Sequence, residues 1–217
     1  MVKSIDDLKQ YLNKVGLMPL FEGNIRGFSV EEITEPSSWW SDDEDADPWI
    51  WRMKIAEGHQ FAYAKLFDKK AGFVSLGLYP KFACYRRDGY DFDTLYECGM
   101  ASMNEKKIMD VINDADGPVA SYELRKKSGI RKGFDTALTS LQMKTYITVC
   151  GFTRKVNRQG EPYGWHVSLF QTPEKVFGYD FVRSEYGREN VLGDELTDIM
   201  KGVLPGTDEA QIREMLK

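Results

Sequence analysis

Apolar residues at helical spacing open the chain. Ile5, Leu8, Leu12 and Val15 recur on one face behind Ser4, with acids at Asp6 and Asp7 where a first turn would want them. The spacing predicts a helix over 4–15. Residues 16–40 mix Gly, Pro and Ser with short apolar clusters, and only 29–34 (SVEEIT) has the form of a capped turn or two. Residues 47–56 (DPWIWRMKIA) fit a helix with Pro48 at its first position or a strand by β-propensity, and the proline favours the helix. Alternating, aromatic-rich 61–67 (FAYAKLF) and 71–76 (AGFVSL), separated by Asp68, Lys69 and Lys70, predict a β-hairpin. A helix follows over 79–87 (YPKFACYRR), and 88–99 is turn-rich and ends in glycine, which sets a domain joint near residue 100.

Beyond that joint the pattern is plainer. Ser102 and Glu105 have capping-box spacing ahead of Ile108, Val111 and Ile112, which predicts a helix over 102–114. Gly117-Pro118 breaks it, and 121–127 (SYELRKK) gives a second helix closed by Ser128-Gly129. Residues 132–144 (KGFDTALTSLQMK) bury Phe134, Leu138 and Leu141 and would expose Asp135, Thr136, Thr139, Ser140, Gln142 and Met143. Two strands come next, 145–156 and 163–170, joined by the turn 157–160 (NRQG). Three helices and a hairpin in this order predict a winged helix, in which the third helix can enter a groove while the wing lies along the backbone. Thr172-Pro173-Glu174 caps a further helix through about Arg183. Another is expected at 194–202, and 207–217 ends the chain as a helix. This C-terminal stretch reads as a packing appendage. The fold class expected is therefore α+β: an N-terminal α+β domain over 1–100, a winged-helix domain over 101–172 and a helical C-terminal extension over 173–217.

Composition is ordinary for a folded chain: 217 residues, 42% hydrophobic and 29% charged. No stretch approaches a membrane span and residues 1–10 carry acids where a signal peptide needs an apolar run, so a cytoplasmic location is expected. Cys84, Cys98 and Cys150 are scattered and should be free thiols. With His59 and His166 the only histidines, no metal-ligand spacing exists, and no nucleotide-hydrolase or nicotinamide motif is found, so no cofactor is expected.

Charge changes the picture more. The net charge of −5 speaks against a polyanionic partner, but residues 121–160 hold nine bases against only Glu123 and Asp135. A basic module sits inside an acidic protein, the footprint of a nucleic-acid surface or of a merely solvated face. Lys132 lies at the start of the third helix with Arg131 just before it, Lys144 ends it, and Arg154, Lys155 and Arg158 lie on or beside the wing, all placed to reach phosphates. Thr136, Thr139, Ser140 and Gln142 carry short polar groups suited to base edges. The opposite charge is concentrated at Asp42, Asp43, Glu44, Asp45 and Asp47, an expected solvated loop bracketed by Trp39, Trp40, Trp49 and Trp51, of which at least the last two should pack in a core. Asp88, Asp91 and Asp93 beside Arg86 and Arg87 form the best carboxylate cluster for general acid–base work; a charged turn, with Asp93 capping the next helix, is the favoured reading of them.

Residues 49–99, with FAYAKLFDKKAGFVS and YPKFACYRRDGYDFDTLYECG, followed by GPV-x-S-x-EL, ALTSLQ and ITVCGFTRK, resemble the AlkZ-related proteins, relatives of the AlkZ and YcaQ winged-helix DNA glycosylases. The resemblance spans about residues 45–180 and implies tandem winged-helix architecture and a DNA partner, duplex and in some cases damaged. Those glycosylases carry a Gln-aliphatic-Gln or Gln-aliphatic-Asp motif, and no Q-x-Q or Q-x-D occurs here: Gln10, Gln60, Gln142, Gln159, Gln171 and Gln211 are isolated. The leading expectation is a non-catalytic or catalytically altered nucleic-acid-binding protein. The alternatives are a divergent glycosylase using another carboxylate, and an interaction module whose Trp-flanked acidic loop meets a basic protein partner.

Overall fold

A computed structural model describes residues 1–217. The fold is α+β, helices surrounding two small antiparallel sheets. Helix α1 (Ile5–Val15) begins where Ser4 Oγ accepts the Asp7 N–H at 3.1 Å, and it buries Leu8, Leu12 and Val15. Strand β1 (Leu17–Pro19), the short helix α2 (Val30–Ile33) capped by Ser29 and a 3-10 turn at Pro36–Ser38 follow. The proline-led alternative holds for the next segment: α3 (Pro48–Glu57) has Pro48 in its first turn and the Asp47 carboxylate accepting the Trp49 N–H at 2.8 Å. Trp39 and Trp51 are buried and Trp49 is half-buried with the Arg52 guanidinium 3.5 Å above its ring, whereas Trp40 is exposed. Residues Asp42 to Asp45 are exposed, as the loop reading required.

Strands β2 (Phe61–Phe67) and β3 (Lys70–Ser75) form the expected hairpin, and β1 pairs on the far side of β3 to complete a sheet of order β1-β3-β2. The centre of this sheet demands glycine. A Cβ on Gly72 would lie 2.5 Å from the Phe67 ring and 2.6 Å from the Met18 carbonyl oxygen. The two residues of the hairpin turn, Asp68 and Lys69, both have positive φ, 44° and 64°. Helix α4 (Tyr79–Arg87) ends at Asp88 in the left-handed conformation, and α5 (Phe92–Glu97) starts under Asp91, whose carboxylate accepts the Thr94 N–H at 2.8 Å. The cap is thus Asp91 rather than Asp93: Asp91 is the last extended residue before the helix, and Asp93 falls exposed in its first turn.

In the second half α6 (Met103–Asn113) has both hydrogen bonds of the Ser102/Glu105 capping box. Strand β4 (Val119–Ala120) leads into α7 (Ser121–Ser128), closed by left-handed Gly129. Helix α8 (Phe134–Met143) starts two residues later than the sequence pattern suggests, because Gly133 takes φ 79° and leaves Lys132 in the preceding loop. Strand β5 (Thr148–Val156) also starts late, after Thr145 at φ 62°, and pairs with β6 (Pro162–Gln171) in a sheet of order β4-β6-β5.

The expected helix through Arg183 is two, α9 (Pro173–Phe177) and α10 (Tyr179–Val182), broken at Gly178 with φ 104°. Helix α11 (Glu189–Val203) is longer than its expected 194–202, and α12 (Glu209–Leu216) is capped by Asp208. These last helices are built into the molecule. One contiguous cluster of 47 buried side chains runs from Leu8 to Leu216 and includes Leu196, Met200, Ile212 and Met215. Asn24 and Gln211 exchange side-chain-to-carbonyl hydrogen bonds of 3.3 and 3.0 Å across 187 residues of sequence. No helix is long and apolar enough to cross a membrane.

Candidate nucleic-acid interface

The hairpin β2–β3 docks on α8, and this contact decides what the face of α8 can do. The Lys65 N–H donates to Gln142 Oε1 at 3.0 Å, while Gln142 Nε2 donates to the Leu138 carbonyl at 3.1 Å. Gln142 is consequently buried, not exposed as its helical position suggested. Nearby, the Thr148 hydroxyl donates to the Tyr63 carbonyl at 3.1 Å and Arg86 Nη1 to the Met143 carbonyl at 3.1 Å.

Between hairpin and helix lies a cleft of about 670 Å³ lined by Lys65, Lys69, Arg86, Asp135, Thr136, Thr139, Ser140, Met143, Lys144 and Lys217. It gathers four of the expected contact residues, Thr136, Thr139, Ser140 and Lys144. Two of these are occupied. Glu105 Oε1 accepts the Ser140 hydroxyl at 2.8 Å and the Lys144 ammonium at 2.9 Å, from the same carboxylate that caps α6. Burial by itself would raise the Glu105 pKa, but the Ser102 N–H, the Lys144 ammonium and the Ser140 hydroxyl more than offset it and hold the carboxyl below the usual glutamate range. Asp135 is likewise engaged, with Arg125 Nη2 at 2.7 Å from both of its oxygens.

The other expected residues lie outside the cleft. Arg131 and Lys132 are exposed in the loop entering α8, where the Lys132 carbonyl accepts from Asn104 Nδ2 at 3.0 Å. Arg154, Lys155 and Arg158 are exposed on the β5–β6 hairpin and its turn. Arg154 Nε donates to the Gly164 carbonyl at 2.9 Å, and the Lys155 ammonium stands 5.6 Å from the Tyr122 ring. The turn itself is tied by Asn157, whose Oδ1 accepts the N–H groups of Gln159 and Glu161, both at 2.9 Å. Elsewhere on the protein many bases are paired with carboxylates, as Arg188 is with Glu185 and Glu195, and Arg213 with Asp194 and Glu209. Arg131, Lys132, Arg154, Lys155 and Arg158 have no such partner.

Sequence reasoning missed two groups. Trp165 is 87% exposed and Tyr163 is exposed near it on β6; an alternating strand segment with aromatics on a solvated hairpin was the available signal. Lys65, Lys69, Arg86 and Lys217 converge from three segments, the first hairpin, α4 and the residue after α12, for which no linear signal exists. The carboxylate cluster, by contrast, does not converge. The Asp91 carboxylate caps α5, Asp88 ends α4 through its backbone N–H with its side chain exposed, Arg86 donates only to carbonyls, and Arg87 turns to Thr145, Glu174 and Tyr186. His59, exposed at φ 53°, places Nε2 2.8 Å from the Cys150 carbonyl oxygen, so it acts as a tether between the two halves.

No curated protein and no solved structure matches this chain. A family model described as AlkZ related matches residues 2–217, essentially the whole sequence, and the chain therefore belongs to the AlkZ-related family.

Proposed function

We propose that residues 101–172 form a winged-helix domain, with α6, α7 and α8 as its three helices and β5–β6 as its wing, set between an N-terminal α+β domain over 1–100 and a helical extension over 173–217. This domain binds DNA through the phosphate backbone without reading sequence. Arg131 and Lys132 at the entrance to α8, and Arg154, Lys155 and Arg158 on the wing, supply the phosphate contacts. Trp165 and Tyr163 add flat aromatic surface against which an unpaired or distorted base can stack. Family membership supports a relation to DNA glycosylase-like proteins. The observation that carries the reading is the set of five exposed bases without carboxylate partners, on a chain whose net charge is −5. Exposed cations grouped at one helix entrance and one hairpin attract an anion locally whatever the sign of the net charge.

Thr139 and Ser140 do not fit the role of groove readers, since both are half-buried in the cleft and Ser140 is held by Glu105. Binding is therefore read as sequence-tolerant. The chain lacks the glutamine motif of the glycosylases it resembles, and the reading is of a protein that holds DNA rather than one that cleaves the glycosidic bond.

The test is fluorescence anisotropy of a labelled duplex at two salt concentrations. The intact protein should bind with a strong salt dependence, and the combined Lys132→Ala, Arg154→Ala, Lys155→Ala variant should reduce the log–log salt slope by about 3, near 0.9 for each phosphate that is no longer neutralised. An intact protein that fails to bind at low salt overturns the proposal.

A further inference from the structure

Arg86 is the least expected charge in the molecule. Its guanidinium lies over the Phe82 ring at 4.7 Å and donates to three backbone carbonyls: Met143 at 3.1 Å, Leu66 at 2.7 Å and Met215 at 3.4 Å. Its Nε–H is buried and has no partner at all, and no carboxylate is paired with it. Arg87, the next residue, is neutralised in the ordinary way, by a carboxylate from Glu174. The carbonyls of Met143 and Met215 lie at the ends of helices α8 and α12 and carry partial negative charge, but they do not replace the water lost, and burial pushes the Arg86 guanidinium down to about 10.

The surroundings add charge of the same sign. Arg86 lines the cleft between β2–β3 and α8 together with Lys65 and Lys69; Lys217 also lines it but is paired with Glu214 at 3.2 Å, and the cleft's single acid, Asp135, is already bound to Arg125. Lys65 and Lys69 are exposed and have no carboxylate partner. Lys69 holds its position at φ 64°, in a two-residue turn where glycine is the ordinary occupant. A side chain is thus kept at a strained site on the rim. Thr136 and Thr139 line the same space from α8.

An enclosed cation without a counterion, a lysine rim and two hydroxyl-bearing residues in a concavity of this size make a site for a small anion-bearing molecule, one too confined for a duplex. We propose that this cleft binds a phosphate ester, with Arg86 as the enclosed group that meets the phosphate and Lys65 and Lys69 as its screening rim. The phosphate is that of a free nucleotide or of a single strand threaded past the hairpin; the recognising chemistry is the same. This site does not depend on the wing or on duplex binding.

The test is NMR titration of the full-length, 15N-labelled protein, observing the Arg86 Nε–H resonance and the Lys65 amide. The probes are inorganic phosphate, 2′-deoxyadenosine 5′-monophosphate, 2′-deoxyadenosine and a tetrathymidylate without terminal phosphate. The phosphate-bearing probes should move both resonances and deoxyadenosine should move neither. The Lys65→Ala, Lys69→Ala double variant, changed only at exposed positions, should weaken the response about tenfold, as removal of two charge-assisted interactions implies. Tighter binding of the tetranucleotide identifies a strand as the source, and tighter binding of the monophosphate a free nucleotide. An Arg86 resonance unmoved at millimolar phosphate ester, an equal response to deoxyadenosine, or a response unchanged in the double variant overturns the proposal. Because the wing bases are untouched, failure here leaves the duplex assay free to succeed, and the reverse.

Discussion

Arg87 and Glu174 form an ion pair across 87 residues of sequence, with the Arg87 side chain only 2% exposed. The same guanidinium donates to the Tyr186 hydroxyl at 3.0 Å and to the Thr145 carbonyl at 2.6 Å, so α4, the loop before β5 and the C-terminal helices meet on one buried charge. Removing the carboxylate would leave that charge without a counterion. Glu174→Gln should lower unfolding stability by about 3 kcal/mol, the usual scale for breaking one side of a buried pair. Denaturant midpoints at neutral pH check this; a loss below about 0.5 kcal/mol, the range of ordinary surface changes, would mean the pair is effectively solvated.

The turn of the first hairpin should trade stability for binding. Lys69 occupies a left-handed position at φ 64° that costs a residue with a Cβ roughly 1 kcal/mol, and glycine would relieve it. Lys69→Gly is expected to raise the denaturation midpoint by an amount worth about 1 kcal/mol while weakening the cleft's response to phosphate esters. A variant no more stable than the parent would show that the turn is not strained.

Glu105 gives the fold an acid-sensitive joint. Its folded pKa is depressed, so its contribution is present above the ordinary glutamate range and disappears as the pH falls through the depressed value. The parent protein should therefore lose stability more steeply than Glu105→Gln as pH falls from about 5 towards 2, even though the variant is less stable at neutral pH. Parallel curves for the two proteins would remove Glu105 from the account.

Local signals in the sequence carried as far as local causes reach. The Ser102/Glu105 box, the Pro48 start of α3 and the Gly129 stop of α7 depend on residues within one turn of each other, and all are found as read. The face of α8 was a different matter. Gln142 is buried because a backbone N–H 77 residues earlier needs its oxygen, and Lys144 is engaged because a carboxylate 39 residues earlier accepts it. Helical periodicity reports which side of α8 is apolar; it carries no information that a hairpin from the first half covers the other side. Arg86 shows the same limit, since a basic residue at the end of a helix looks like an ordinary C-terminal charge until the carbonyls of Leu66, Met143 and Met215 close around it.

The exchange between Asn24 and Gln211 has a consequence for the order in which the molecule is assembled. Residues 209–216 emerge from the ribosome after every surface they cover, and Met215 contributes one of the carbonyls that hold Arg86. During synthesis the first half can collapse on itself and α8 can dock against the hairpin, but the far wall of the cleft arrives after both and from the greatest sequence separation. A nascent chain therefore passes through a stage in which an arginine that will later be enclosed and the apolar seats of Ile212 and Leu216 stand open to water or to a chaperone, and closure of the cleft waits on the synthesis of α12.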